Sequence, residues 1–579
     1  MDVLGAVLDH LIVFVEQWWI LIALLAIVFT VRWPAIRLPS YVGRVLNPSA
    51  AEGGRFAAAD GLRTRPTSIK PMHAYALVFI VALLWIVSPV LVHGVPLPWM
   101  HDDYSCLLGA EMVAQGHTSY PPHPMWRHFE TMHQLQVPRR ASKYPPGQAL
   151  LLAAGIRFLG LPIAAEWLIT ALAAAAICWA AFAWTEAGVA LVAGLVAAIH
   201  PALLDWGEAY RGGGLAAFAG ALVIGSTGRL MGVSRVRDGC LFGIGVVLLA
   251  ISRPYEGLAL TIACAAVVIY RFRFDLLRPA LFAALIVAIG MVGLGLWNRS
   301  ITGSPLVMPY MVYERQYASA TLFTFQTARP QPPIANEEMA RMYRIFLGEY
   351  RRAQLHPIQQ LDHKAAEIGR FWFGSTAWNW MIALWPLLLL SLAGLAVLFV
   401  RSRTKRPLIL IAAVFMVALL LIGGWTIPLR YAAPAAAAAW ILLVSSVMTL
   451  ATMFPHHRGQ VLALLIGLTF VVNACGVWWN WTVGRDPSSQ PERSRIEQSL
   501  RADGKRNLIL VAPDVYDFVY NHADIDAQDV VWARDLGPAA NQSLLRYYGD
   551  RVVWTLTNGP SGRLLVTRIQ NVDRAGGLH

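Results

Sequence analysis

Two adjacent carboxylates, Asp102 and Asp103, follow the apolar run Ala74 to Val92 and precede a helical pattern, Tyr104 to Gln115. A carboxylate at such a mouth can take the proton of an acceptor hydroxyl, general-base work typically worth about 10²- to 10⁴-fold in rate. The same loop ends in Lys143-Tyr144-Pro145-Pro146-Gly147, stiffened by its prolines. Further on, Arg211 precedes Gly212-Gly213-Gly214, where the free N–H groups of a helix start and a guanidinium together suit a phosphate. Arg253 and Arg430 each stand just outside an apolar run. Taken singly, an aspartate here is a helix cap and each arginine a side chain snorkelling to headgroups. Together they describe a base facing an anionic leaving group.

The elements that must position them are membrane helices. Of 579 residues 57% are hydrophobic and only 14% charged, and the mean hydropathy is +0.51, far from a soluble chain. Runs such as Ile163 to Trp184 and Leu281 to Trp297 are long enough to cross roughly 30 Å of hydrocarbon as helices. The expected fold is mainly α: a polytopic bundle of about 12 spans, centred near residues 21, 83, 174, 195, 223, 246, 264, 289, 390, 416, 441 and 470. The first apolar run, Leu11 to Val31, lacks a cleavage site and is expected to stay in the membrane. Five scattered cysteines argue for neither a disulfide framework nor a metal site. The formal charge of +13 sits in short loops, which points to lipid headgroups rather than nucleic acid.

Basic residues set the sidedness. Arg32, Arg37, Arg44, Arg55, Arg63, Arg65 and Lys70 make the loop after the first span cytoplasmic, which puts Asp102 and Asp103 on the outer face. If the short apolar stretch Gln148 to Leu161 lies in the interface, Arg235, Arg237, Arg271, Arg273, Arg278, Arg401, Arg403, Lys405, Arg406 and Arg458 are cytoplasmic. Only Arg211, Arg253 and Arg430 then lie in short outer loops. This topology gathers Asp205 to Gly213, Ser252 to Gly257, the long loop Asn298 to Ser375 and Trp425 to Tyr431 on the face of the acidic pair. The long loop reads as a partly helical cover, with helices at Glu337 to Tyr350 and Pro357 to Arg370.

The chain divides into an extra span and basic loop (1–70), a bundle with outer loops 94–162 and 298–375 (71–484), and a soluble α/β domain on the outer side (485–579). The last has strand patterns at Leu508 to Ala512, Val530 to Ala533, Val552 to Leu556 and Leu564 to Ile569, and helical patterns at Val515 to Asn521 and Asn541 to Tyr548. It has no glycine-rich phosphate loop, so no nucleotide is expected.

An acidic pair just outside an early span, followed by a loop ending in Tyr-Pro-Pro, resembles the GT-C class of integral-membrane glycosyltransferases. The likeness is to the bacterial relatives of protein O-mannosyltransferases and of aminoarabinose transferase. The resemblance covers roughly 70 to 480 and implies that Asp102 is the catalytic acid residue, with Asp103 where the class usually has glutamate. Ser252-Arg253-Pro254-Tyr255-Glu256-Gly257 and Tyr210-Arg211-Gly212-Gly213 look like outer-face motifs of a bacterial branch of the class. It also implies a polyprenyl-phosphate sugar donor and a lipid, glycan or protein hydroxyl as acceptor, at the periplasmic face of a bacterial inner membrane.

The candidate catalytic residues are Asp102 and Asp103. The candidate substrate-binding residues are Lys143, Tyr144, Arg211, Arg253, Tyr255, Glu256, Arg430 and Tyr431, with Glu130 and His133 on an acceptor groove. No cofactor is required. A divalent metal at His101, Asp102 and Asp103 is the disfavoured alternative, since no further oxygen ligands are fixed by the sequence. Two other functions share parts of this pattern, a transporter or flippase for a lipid-linked glycan and an outer-face oligosaccharide ligase or polymerase. A transporter would carry charge through the bilayer rather than at one face.

Overall fold

The computed structural model describes residues 70–271, 273–373, 392–424, 429–451, 492–502, 504–516, 518–559, 563–569, 572–573 and 577–578. The membrane part is helical: α1 Pro71–Val87, α2 His101–Ala114, α3 Pro146–Ala154, α4 Pro162–Trp184, α5 Ala187–Ala198, α6 Pro201–Gly207, α7 Gly214–Gly232, α8 Val236–Ser252, α9 Pro254–Tyr270 and α10 Leu277–Thr302. After these come α11 Pro309–Tyr317, α12 Glu337–Leu355, α13 Pro357–Phe373, α14 Arg406–Leu420 and α15 Ala436–Ala451. Several begin at a proline, whose fixed φ suits the first turn and whose missing N–H costs nothing there.

Among the described residues five helices are long and apolar enough to cross a membrane: Pro71–His93, Pro162–Trp184, Gly214–Gly232, Phe274–Thr302 and Arg430–Ala451. The pair α5 and α6, bent by 51°, passes the same test only when the two are taken together, as a broken span or a re-entrant loop. The spans expected near 246, 264 and 416 are present as helices of 17, 17 and 15 residues. Those near 21 and 470, and most of the one near 390, lie outside the described residues, as do the basic loop 32–69 and residues 425–428. The count of about twelve is therefore not reached among the described residues.

Small side chains decide which helices are central. α4, α7 and α15 bury alanine after alanine, and in the Gly214–Gly232 and Arg430–Ala451 spans 78% of the apolar window is buried, whereas in Phe274–Thr302 only 6% is. Close approach of backbones through small residues drives helix association where lipid removes the hydrophobic force. α10 instead presents Leu281, Leu285, Ile289 and Leu296 outward. The apolar stretch after Pro145 is α3 continued to Leu159 by a π-helical turn, a run shorter than the spans and leaning on α2 and α4.

The loop after α2 folds back through a small hairpin, Gln134–Leu135 against Ala141–Ser142, and α12 and α13 stand where helices were expected in the long segment after α10, with α11 before them. The terminal domain comprises α16 Glu492–Arg501, β1 Asn507–Val511, β2 Val530–Arg534, α17 Pro538–Tyr547, β3 Val552–Asn558 and β4 Leu564–Arg568. The sheet order is β2-β1-β3-β4, with β1 parallel to both neighbours and β4 antiparallel on the edge. Strand β1, central and parallel to both neighbours, is buried throughout, and so is the edge strand β2, against which the turn Trp126–Phe129 packs.

The helix expected at Val515 to Asn521 is absent from the described residues there, which form an irregular strap. Its carbonyls at Phe518 and Tyr520 accept from Arg493, and the Asn521 side chain bridges to Trp532. Those tertiary bonds replace the i to i−4 ladder. The domain is seated on α2 and the outer loop. Phe129 enters its core, Arg140 donates to the carbonyls of Asn521, His522 and Ala523, Glu111 holds His522, and Arg534 pairs with Glu338 of α12.

Candidate active site

Asp102 and Asp103 share the first turn of α2 but meet different surroundings. Asp103 accepts from the N–H groups of Trp99 and Met100, both at 3.3 Å, and faces Arg211 at 3.5 Å. It is the cap, and only 1% exposed. Asp102 is not solvated either. It accepts from the Tyr144 hydroxyl, and from Arg430 Nη2 at 3.2 Å, and His133 Nε2 stands 4.0 Å away.

Electrostatics separates the pair further. Burial pushes the Asp103 carboxyl up, opposed by Arg211 and the two N–H groups. Burial alone would raise Asp102 too, but His133, Arg430, the Tyr144 hydroxyl and Lys143 outweigh it and hold Asp102 well below the usual carboxylate range. Burial and Lys143 push His133 well down, so its ring is neutral at pH 7 and Arg430, Tyr144 and Lys143 keep Asp102 ionised. Tyr144, driven well up by burial, keeps its proton and donates.

Asp102 opens onto a narrow cleft. Its walls are Asp102 and Cys106 from α2, Tyr144, Pro145 and Gln148 at the start of α3, Arg211 to Gly213 with Leu215 and Ala216 entering α7, Ser252 and Arg253 between α8 and α9, and Arg430. The three arginines and Asp102, far apart in sequence, thus share one site. They are not equally committed. Arg211 faces Asp103 and Asp205, and Arg430 faces Asp102. Among the described residues no carboxylate lies within 4.0 Å of Arg253, whose guanidinium lies over the Tyr431 ring at 5.1 Å. The turn before α7 places Gly212 at φ +82° and Gly213 at φ +147°, conformations that a side chain strains.

The remaining expected residues sit around the cleft. Lys143 does not line it: its Nζ lies 3.2 Å from Glu314 of α11 and over the rings of Tyr144, Tyr310 and Tyr313. Tyr255 donates to the carbonyl of Ala418 at 2.8 Å and rests on Phe323, tying α9 to α14. Glu256 is buried one turn behind Arg253, and Tyr431 lies against Arg253 and Arg430. Glu130 accepts from Tyr317 at 2.6 Å, and its carbonyl accepts from Asn336, so it fastens the loop to the cover. His133 adopts φ +64°, rare for a residue with a Cβ, held there by the Tyr313 hydroxyl on its N–H and Ser105 on its carbonyl. Sequence reasoning missed Glu314 and Gln148. Gln148 carries a faint signal, a lone amide just past the diproline in an otherwise apolar helix. His101 bonds Tyr520 at 2.9 Å, and among the described residues no group of three or more His, Cys, Asp or Glu is placed to hold a metal ion.

No protein-family model matches the chain, and neither does any curated protein. Among solved structures it is similar to ArnT from Cupriavidus metallidurans bound to undecaprenyl phosphate, with 13% identity and a TM-score of 0.49 over 88% of this chain and 99% of that one. It is also similar to the oligosaccharyltransferase of Archaeoglobus fulgidus in complex with zinc and sulfate, with 13% identity and a TM-score of 0.47 over 85% of this chain and 73% of that one. Against the apo form of that enzyme the TM-score is 0.41 and the chain spans 56% of the neighbour's length. The functional reading rests on the residues of this chain.

Proposed function

We propose that the chain is an inverting glycosyltransferase that moves a sugar from a polyprenyl-phosphate donor to a hydroxyl of a lipid, glycan or protein. It works at the periplasmic face of a bacterial inner membrane. The observation that carries the reading is the cleft whose walls include both an ionised Asp102 and Arg253, an arginine with no carboxylate within 4.0 Å among the described residues and with the buried Glu256 in electrostatic reach behind it. The donor phosphate sits against Arg253 and draws on Arg430, while the polyprenyl tail lies in lipid between helices. The acceptor oxygen attacks C1, its bond to C1 forms as the C1–O bond to phosphate breaks, and the electron pair leaves with the phosphate. Displacement from the opposite side inverts C1.

Asp102 receives the hydroxyl proton. Held below the usual range it is a weak base at rest, but that proton becomes acidic only as the new bond forms, and the low value keeps the carboxylate ionised until then. When the phosphate takes up Arg430, Asp102 loses a stabilising charge and becomes more basic. Arg253, with Arg430, offsets the charge on the departing phosphate. The test is to incubate the purified full-length protein with a panel of polyprenyl-linked sugars, following released lipid and product anomer. Release of polyprenyl monophosphate with inversion supports the reading. Release of a diphosphate instead identifies an oligosaccharide ligase, and transport without release identifies a flippase.

A further inference from the structure

Gln148 is 7% exposed, yet it lines the cleft. Its amide nitrogen donates to Glu166 Oε2 at 2.7 Å and to the carbonyl of Tyr210 at 2.9 Å. The Tyr210 carbonyl can only accept, so the amide cannot turn over without setting carbonyl against carbonyl, and both N–H bonds are spent. Glu166 is itself fully buried in α4. The orientation of Gln148 is thereby fixed from behind. Its carbonyl oxygen is left over, and no donor among the described residues reaches it. That oxygen lies against Gly212, where a Cβ would come within 2.6 Å of it, so glycine leaves room for it at the cleft wall.

We infer that Gln148 is the specificity-determining group of the cleft, presenting a locked carbonyl acceptor that reads a hydroxyl of the transferred sugar. The inference rests on the proposed sugar transfer. The oxygen is not sealed inside the protein, so water can meet it while the cleft is open, and a ligand that displaces that water must bring an O–H or N–H in its place. A phosphate oxygen ionised at neutral pH brings none and would be repelled. Gln148 therefore also orients the donor, excluding the phosphate from its end of the cleft and leaving that end to the sugar ring.

The test compares wild type with Gln148→Met, an apolar side chain of similar length, using each active polyprenyl-phosphate sugar and its set of monodeoxy analogues. Binding is measured by thermal stabilisation of the full-length protein and turnover by release of polyprenyl phosphate. Wild type is expected to disfavour one monodeoxy analogue by about 10- to 100-fold, and Gln148→Met to treat that analogue and its parent within about threefold, with discrimination at the other hydroxyls intact. An unchanged discrimination pattern in Gln148→Met overturns the inference, and so does a uniform loss across parent and analogues, which marks a packing role. Donors that bind with this discrimination but are not turned over would refute the transfer reading and leave the Gln148 assignment standing. Failure of every parent donor to bind wild type would refute both.

Discussion

Two faces of α2 carry buried charge, and they differ in what is left unsatisfied. Toward the terminal domain, Arg140 is 2% exposed and donates to three backbone carbonyls at 2.6 to 2.9 Å, while Glu111 accepts from His522 at 2.6 Å and from the N–H of Ala523 at 2.8 Å. The protein meets those charges itself, and they hold two parts of the chain together. Toward the cleft, Asp102 is held ionised by Arg430 and Tyr144, Arg253 has no carboxylate within ion-pair distance among the described residues, and the Gln148 carbonyl lacks a donor. Buried charge by itself marks neither structure nor function. Unmet groups facing open volume mark the side where a ligand belongs.

The contrast can be broken on either side. Asp102→Asn should lower kcat by about 10²- to 10⁴-fold while membrane insertion and Tm stay near wild type, as measured by release of polyprenyl phosphate. Arg253→Ala should raise the donor KM by about 10- to 100-fold, with a smaller fall in Tm from the lost contact with the Tyr431 ring and with the buried Glu256. On the junction face the order reverses. Arg140→Met should leave the chemical step alone and weaken docking of the terminal domain by about 1 to 3 kcal/mol, seen as faster hydrogen exchange in residues 521–523.

The smallest effect concerns pH. The bond to Glu111 raises His522 above its ordinary value of 6.5, against the opposing pull of burial, with Glu497 adding to it and Arg493 subtracting. Its stabilisation is therefore complete below pH 6.5 and fades as pH climbs through the raised value. Protection of residues 521–523 should fall over that window, and Glu111→Gln should flatten the dependence.

Much of this was legible beforehand. Strands β1 and β2 of the terminal domain announce themselves because strands buried on both faces read as unbroken apolar runs, and β3 and β4, half-exposed, as shorter apolar patterns between turn residues. The acidic pair and the three arginines stand out because charge beside a span is rare and costly. What stayed hidden depends on contacts distant in sequence. Val515 and Val519 look like a helix face but are buried against the sheet by a strap that side chains hold. Lys143 reads as a phosphate ligand until Glu314 and three tyrosine rings claim it. Tyr255 and Glu130 prove to be fastenings, since their partners at Ala418 and Tyr317 are far along the chain. Gln148 carries no motif, and its role follows only from which of its atoms other groups already occupy.

The account stands or falls on where the donor's phosphate binds. A structure of the full-length protein with a non-transferable polyprenyl-phosphate sugar should place that phosphate on Arg253 in the cleft, with the sugar toward Gln148 and Asp102. A phosphate seated away from Arg253, or a sugar turned from Asp102, would contradict it.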